Sequence, residues 1–260
     1  MANQEWDDID KKTNTFSEVH CAFIDILGYK DKVQKFFNNE YNLMGRIERA
    51  IKNTYAMSDI TSLFTDISER EITIFSDSIV ITYPSNDDNL LILLNDIQNI
   101  STHLSMENLF VRGGIAKGKH ISKKIDSLNF PFLASEALQK AYFLEQDEER
   151  KPRVLVDIQL IESLNEIGYD RIIKENEKYF VHFASILIDN NTDKQAVKLE
   201  MEDIFKNINN KNNQDVNEKF HWILDYYYWT LLQDGSYNKE EYSKFKSKEY
   251  EKRNFNVVSR

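Results

Sequence analysis

The chain has 260 residues, 41% of them hydrophobic and 12% aromatic, which is enough to bury a sizeable core and excludes global disorder. A formal charge of −10 excludes a nucleic-acid backbone as the main partner, because that role needs a basic field to displace counterions. The single cysteine, Cys21, excludes an intrachain disulfide and a cysteine-based zinc cage, and no run approaches the roughly 20 apolar residues that span a bilayer. The opening MANQEWDDIDKK is acidic where a secretory signal is basic and then apolar. The expectation is a cytoplasmic, untargeted protein without membrane insertion.

Residues 1–17 are polar and without periodicity and read as a flexible N-terminal arm. CAFIDIL (21–27) is an apolar run broken only by Asp25, the pattern of a central strand covered on both faces. After Gly28, Val33, Phe36 and Phe37, then Leu43, Ile47, Ile51 and Tyr55, recur at helical spacing. EITIFSDSIVITYP (71–84) holds two alternating runs that meet at Ser76-Asp77 and reads as a hairpin. DDNLLILLNDIQNISTHLSMEN (87–108) predicts a helix with an acidic start. LFVRGGIAKG predicts a strand, ASEALQKAYFLEQDEER a helix and PRVLVD a strand. The order β, α, β, β, α, β, with a further helix and strand, is that of a ferredoxin-like α+β core spanning 18–158. Residues 159–260 are expected to add a mostly helical extension packed on that core. It includes a short strand at Tyr179 to Phe183, a turn in the Asn-rich 207–214 patch and an aromatic helix at 216–233.

In such a core the first strand and the hairpin are neighbours, so Asp25 and Asp77 come together. Alone, Asp25 also reads as an acid satisfied by a nearby lysine or by backbone donors, and Asp77 as ordinary turn chemistry. Two carboxylates at one end of adjacent strands repel unless a cation lies between them, and Mg²⁺ or Mn²⁺ prefers oxygen ligands. The amides of Ile26, Leu27, Gly28 and Tyr29 can face phosphate oxygens where a helix starts. Arg112, in mid-strand, requires a fixed partner, either a carboxylate or a ligand phosphate. The lysines that follow it, Lys117, Lys119, Lys123 and Lys124, read either as solvated residues or as part of a basic site. The five histidines show no metal-binding spacing, no nucleophile elbow or P-loop occurs, and Cys21 reads as a core thiol.

FIDILGYK, FSDSIVI, VRGGIAKG, ALQKAYFLE and PRVLVD, in that order, resemble the class III adenylate/guanylate cyclase catalytic domain over residues 20–157. FSDS with RGGI is similar to the bacterial pyrimidine cyclases of the Pycsar antiphage system. The resemblance implies two divalent ions, Mn²⁺ or Mg²⁺, held by Asp25, Ile26 and Asp77. It implies a homodimer with active sites at the interface and a nucleoside triphosphate substrate, converted to a 3′,5′-cyclic mononucleotide and diphosphate. Ser76 stands where glycine is usual and Thr73 where the family has a purine-selecting lysine, which fits a pyrimidine, with UTP favoured and CTP next. Gln139 stands for the family's asparagine and Phe143 for its transition-state arginine, leaving Lys140 or a residue of 117–124 such as Lys117 as a substitute cation. Two other readings are a non-catalytic cyclase-homology module that binds nucleotide or dimerises to regulate a partner, and a different metal-dependent phosphotransfer enzyme on the same core.

Overall fold

The computed structural model describes residues 16–61, 70–125, 130–146, 149–164, 166–188, 193–209, 213–235 and 237–258; most of the expected N-terminal arm lies outside them. Strand β1 (Ser17–Ile26) starts three residues before His20, pairing to Val19 and beyond against Pro84. Helices α1 (Tyr29–Phe37) and α2 (Leu43–Thr61) follow, then β2 (Glu71–Phe75) and β3 (Ser78–Pro84), which form the predicted hairpin around Ser76-Asp77. Helix α3 (Asp87–Met106) begins where Asn86 accepts a hydrogen bond from the Asn89 amide at 2.7 Å, and Asp87 and Asp88 face the positive end of its dipole. Strands β4 (Val111–Ile125) and β5 (Phe130–Ser135) precede α4 (Glu136–Glu145) and β6 (Val154–Val156).

The order β4-β1-β3-β2, every neighbouring pair antiparallel, is the ferredoxin-like arrangement predicted from the sequence. Beyond it, β6 lies parallel to β4, and β5 folds back on the distal end of β4. The remaining chain contains two short helices, α5 (Ile158–Ile161) and α6 (Glu166–Tyr169), then β7 (Ile172–Glu175) and β8 (Lys178–Val181). Helices α7 (Lys194–Asn209) and α8 (Gln214–Gln233) and a last strand, β9 (Phe255–Val257), follow. The C-terminal part thus adds strands as well as helices, and β8, β7 and β9 continue the same sheet past β6. Of the Asn-rich patch expected as a turn, residues 207–209 end α7, 210–212 lie outside the described residues, and Asn213 caps α8 by accepting from the Val216 amide at 3.3 Å.

Period-two alternation sorts the sheet into two faces. Ala22, Ile24, Ile79, Ile81 and Ile115 pack on Leu43 and Ile47 of α2 and on Leu90, Leu94 and Ile97 of α3. Each such leucine or isoleucine, fully buried, contributes about 1.5–3 kcal/mol. The opposite face carries Val19, Cys21, Phe23, Val80 and Ala116 against Ala137 and Ala141 of α4. Cys21 is a core thiol, as expected, and burial pushes it up to about 12. Gly114 permits the close seat of α4, since a Cβ there would run into the carbonyl of Ala141. A second, aromatic core gathers Phe180, Trp222, Tyr226, Tyr227, Tyr228 and Phe255 beneath α7 and α8, so the tyrosine run is interior.

Candidate active site

The site is built where β1 runs out. Asp25 stands opposite Ser78 of β3 on one side and Arg112 of β4 on the other. The Ile26 amide donates to the carbonyl of Asp77 at 2.9 Å and the Leu27 amide to that of Phe110 at 2.8 Å. Both amides are therefore spent in finishing the strand pairing, which corrects the expectation that all four from Ile26 to Tyr29 face a ligand. Gly28, with φ 68°, turns the chain into α1 in the left-handed region that glycine tolerates. The amides of Gly28 and Tyr29 donate to no group among the described residues, so two donors remain at the start of α1. The Lys32 ammonium reaches back to the Leu27 carbonyl at 3.0 Å and steadies this turn.

Arg112 is the second residue of β4 rather than a mid-strand one, and it has the carboxylate partners expected of an arginine in an apolar run. Its Nε donates to Asp25 Oδ2 at 3.1 Å and pairs with Glu145 Oε1. Glu145 is buried at the C-terminal end of α4, where the helix dipole disfavours an acid, and Arg112 supplies the compensating charge. Burial pushes the Asp25 carboxyl up to about 6; the Arg112 guanidinium opposes this, and the nearby charges of Asp77 and Glu145 add to it. Two carboxylates thus share one guanidinium in a half-open cleft, with the charge of Asp77 near the first of them.

Ser76 sits at the hairpin tip with φ 55°, and Thr73 lies exposed on β2, across β3 from β1 and on the same sheet face as Asp25. Lys117, Gln139 and Lys140 are elsewhere. Helix α4 runs antiparallel to β4, with Ala137 over Gly118 and Ala141 over Gly114. This direction brings Glu145 to Arg112 and leaves the first half of α4 at the other end. Lys117 stands opposite His20 and pairs with Glu18 at 3.1 Å. Lys140 pairs with Glu136 at 2.9 Å and donates to the Lys117 carbonyl at 3.3 Å. Neither lysine is thus a substitute cation for the Asp25 end of its own chain. Phe143 is exposed on the surface of α4.

The oxygen donors available to a divalent ion are the carboxylates of Asp25 and Asp77 and the carbonyl of Ile26. Among the described residues no group of three or more His, Cys, Asp or Glu side chains is arranged to hold a metal. A pair of carboxylates suits Mg²⁺ or Mn²⁺ arriving with substrate phosphates, because such ions complete their shell with water and phosphate oxygens. The Asp77 and Glu145 charges that add to the effect of burial on Asp25 are what a cation would offset.

Two cavities flank this end of the sheet. One, of about 680 Å³, runs from Leu27, Gly28 and Lys32 to Lys219 and Phe220 of α8. The other, of about 1320 Å³, lies between the segment after α4, the first half of α8 and residues 247–253. Sequence reasoning missed Glu145 and Lys219. An acid in the last turn of an amphipathic helix was a signal for the first. Nothing local marked the second, whose place depends on how α8 docks.

No helix among the described residues is long and apolar enough to cross a membrane. No protein-family model and no curated protein matches the chain. Among solved structures, the chain is similar to a bacterial light-regulated adenylyl cyclase, with 15% identity and a TM-score of 0.48 over 76% of this chain and 66% of that one. It is also similar to the adenylyl cyclase CyaB from P. aeruginosa (10%, 0.44, 64% and 94%). A third similar structure is the guanylyl cyclase Cya2 (11%, 0.42, 64% and 92%).

Proposed function

We propose that the chain is a nucleotidyl cyclase that converts a nucleoside triphosphate to a 3′,5′-cyclic mononucleotide and diphosphate. The observation that carries this reading is the meeting of Asp25, at the end of β1, with Asp77, in the turn before β3, beside Arg112 and the amides of Gly28 and Tyr29, which have no acceptor among the described residues. In the reaction the ribose 3′-oxygen bonds to the α-phosphorus, the bond from that phosphorus to the diphosphate oxygen breaks, and the hydroxyl proton leaves to solvent. Asp25, Asp77 and the Ile26 carbonyl would hold one or two Mg²⁺ or Mn²⁺ ions, which lower the pKa of the bound hydroxyl and neutralise phosphate charge. Arg112 places a fixed cation beside the same cleft, and the two amides offer directed donors to phosphate oxygens. Positioning and charge neutralisation supply most of the rate in such chemistry.

The finer assignment is to pyrimidine triphosphates, UTP before CTP, with the product serving as an antiphage signal. It rests on the short hydroxyl of Thr73 on the Asp25 face, where a lysine would select purines, and on the FSDS and RGGI motifs. A homodimer is part of this reading. Gln139, Lys140 and Lys117 lie at the far end of α4 and β4, so only a second copy can bring them to an aspartate pair. Phe75, Phe132 and Phe143 leave apolar surface exposed on the elements around that face.

The test is incubation with Mn²⁺ and each of UTP, CTP, ATP and GTP, with cyclic product and diphosphate read by mass spectrometry. Product from UTP that vanishes in Asp77→Ala is the expected result. Binding without product from any triphosphate would favour a nucleotide-binding regulatory module, the reading supported by the exposed phenylalanine at 143.

A further inference from the structure

The chain carries a net negative charge, yet the 1320 Å³ cavity is lined by more lysines and arginines than acids. Lys151, Lys252 and Arg253 there are committed to Glu149, Glu175, Glu249 or Asp225. Arg150, Lys219 and Lys248 are not: none makes an ion pair or a hydrogen bond among the described residues, and of the three Arg150 and Lys219 lie toward Arg112. Arg150 also lines a narrow crevice with Arg112 and Glu145. Lys219 belongs to both large cavities, and so stands between the Arg150 side and the Leu27-Gly28 turn. Its place is fixed by Phe220, whose ring meets Phe110 edge-on at 6.0 Å between centroids; the Phe110 carbonyl in turn accepts the Leu27 amide. The chain leaving β1, the chain entering β4 and the second turn of α8 are thus tied together beside Asp25.

The geometry points to Lys219 and Arg150 as a polyphosphate-binding site that extends from Arg112 and takes the terminal phosphates of the substrate, supplied in cis by α8 and the segment after α4. The assignment to substrate rests on the triphosphate reading of the Asp25 end. Unpaired cations held near one another repel, and the cost is recovered when a multivalent anion enters. Burial, and then the charges of Arg112 and Arg150, hold the Lys219 ammonium below its usual range, with Asp215 one turn earlier opposing. Asp215 and Glu218 also line the cavity. They limit the site to ligands of high charge density, which favours di- and triphosphate over a single carboxylate. His221, whose Nδ1 is buried without a partner, lines the same wall.

The experiment is calorimetric titration of the full chain with inorganic tripolyphosphate at low ionic strength, for the native protein and for Lys219→Gln, Arg150→Gln and Lys219→Arg. Native binding is expected, weakened about tenfold or more by either glutamine and kept within about threefold by arginine, since a phosphate pair is a charge-assisted contact. Thermal unfolding of each variant guards against a folding defect. No native binding, or binding unchanged within twofold in both glutamine variants, overturns the site. If cyclic product forms, a KM for the triphosphate raised at least fivefold in Lys219→Gln supports the substrate assignment, and an unchanged KM overturns it while leaving the cyclase intact. If no product forms from any triphosphate, the tripolyphosphate titration still decides the site.

Discussion

Two arginines, Arg112 and Arg153, are each held by carboxylates within this sheet, and their surroundings differ. The Arg153 side chain is 2% exposed, pairs with the equally buried Glu175 and with Glu149 at 2.6 Å, and lies near the rings of Phe180 and Trp222. Glu175 also accepts Trp222 Nε1 at 3.1 Å and Lys151 Nζ at 3.3 Å. Charge is balanced there and water is shut out. Arg112, 21% exposed, faces Asp25 and Glu145 with Asp77 nearby in an open cleft, and the unpaired Lys219 and Arg150 lie within electrostatic reach. A balanced, sealed ion pair fixes a fold; acids and unpaired bases side by side at an open cleft leave room for a ligand that brings both a cation and phosphate charge.

Removing an acid from each cluster is the strongest test of that contrast. Glu175→Ala removes the buried partner of Arg153, leaving it only the more exposed Glu149, and is expected to destabilise the fold by about 3–5 kcal/mol, read from the urea midpoint. Glu145→Gln keeps the shape at Arg112 and is expected to cost about 1–3 kcal/mol, with a larger loss of cyclic product than of stability. A stability loss in Glu145→Gln equal to that in Glu175→Ala would erase the distinction.

Protonation sharpens the comparison further. Asp25 holds its proton up to about pH 6 in the folded chain, against about 4 for an ordinary aspartate. Between these values the folded state binds more protons, so this group favours folding on the acid side and that contribution is lost as pH rises through about 6. Product formation, which needs the carboxylate, is expected to rise over the same interval. Asp77→Asn removes one repelling charge and should lower the Asp25 midpoint, followed by the carboxyl carbon shift in NMR. The smallest effect belongs to Ser76→Gly. With φ at 55°, glycine there is expected to add about 0.5–1 kcal/mol, seen as a higher denaturation midpoint.

The core strands, the hairpin and the nearness of Asp25 to Asp77 were legible because alternation and turn chemistry are local signals. So was the need of Arg112 for a carboxylate, since an arginine between valine and glycine in a strand has few alternatives. The separation of Lys117, Gln139 and Lys140 from the aspartates was not legible, because it follows from the direction in which α4 crosses β4. Nor were β7 and β9, whose short runs gain strand character only by adding to an existing sheet edge. Lys219 was silent for the same reason: a lysine on a helix acquires meaning from what the helix is docked against.

The contact between Gly114 and the backbone of Ala141 also bears on how the two walls of the cleft differ. With the Ala141 backbone and the Leu144 Cβ seated this close to the strand, α4 and the wall that carries Glu145 are the tightly packed side of the cleft. The opposite wall, the first turns of α8, is the loosely packed one: the chain from Asn213 to Glu218 is exposed or half-buried before the aromatic core holds the helix from Trp222 onward.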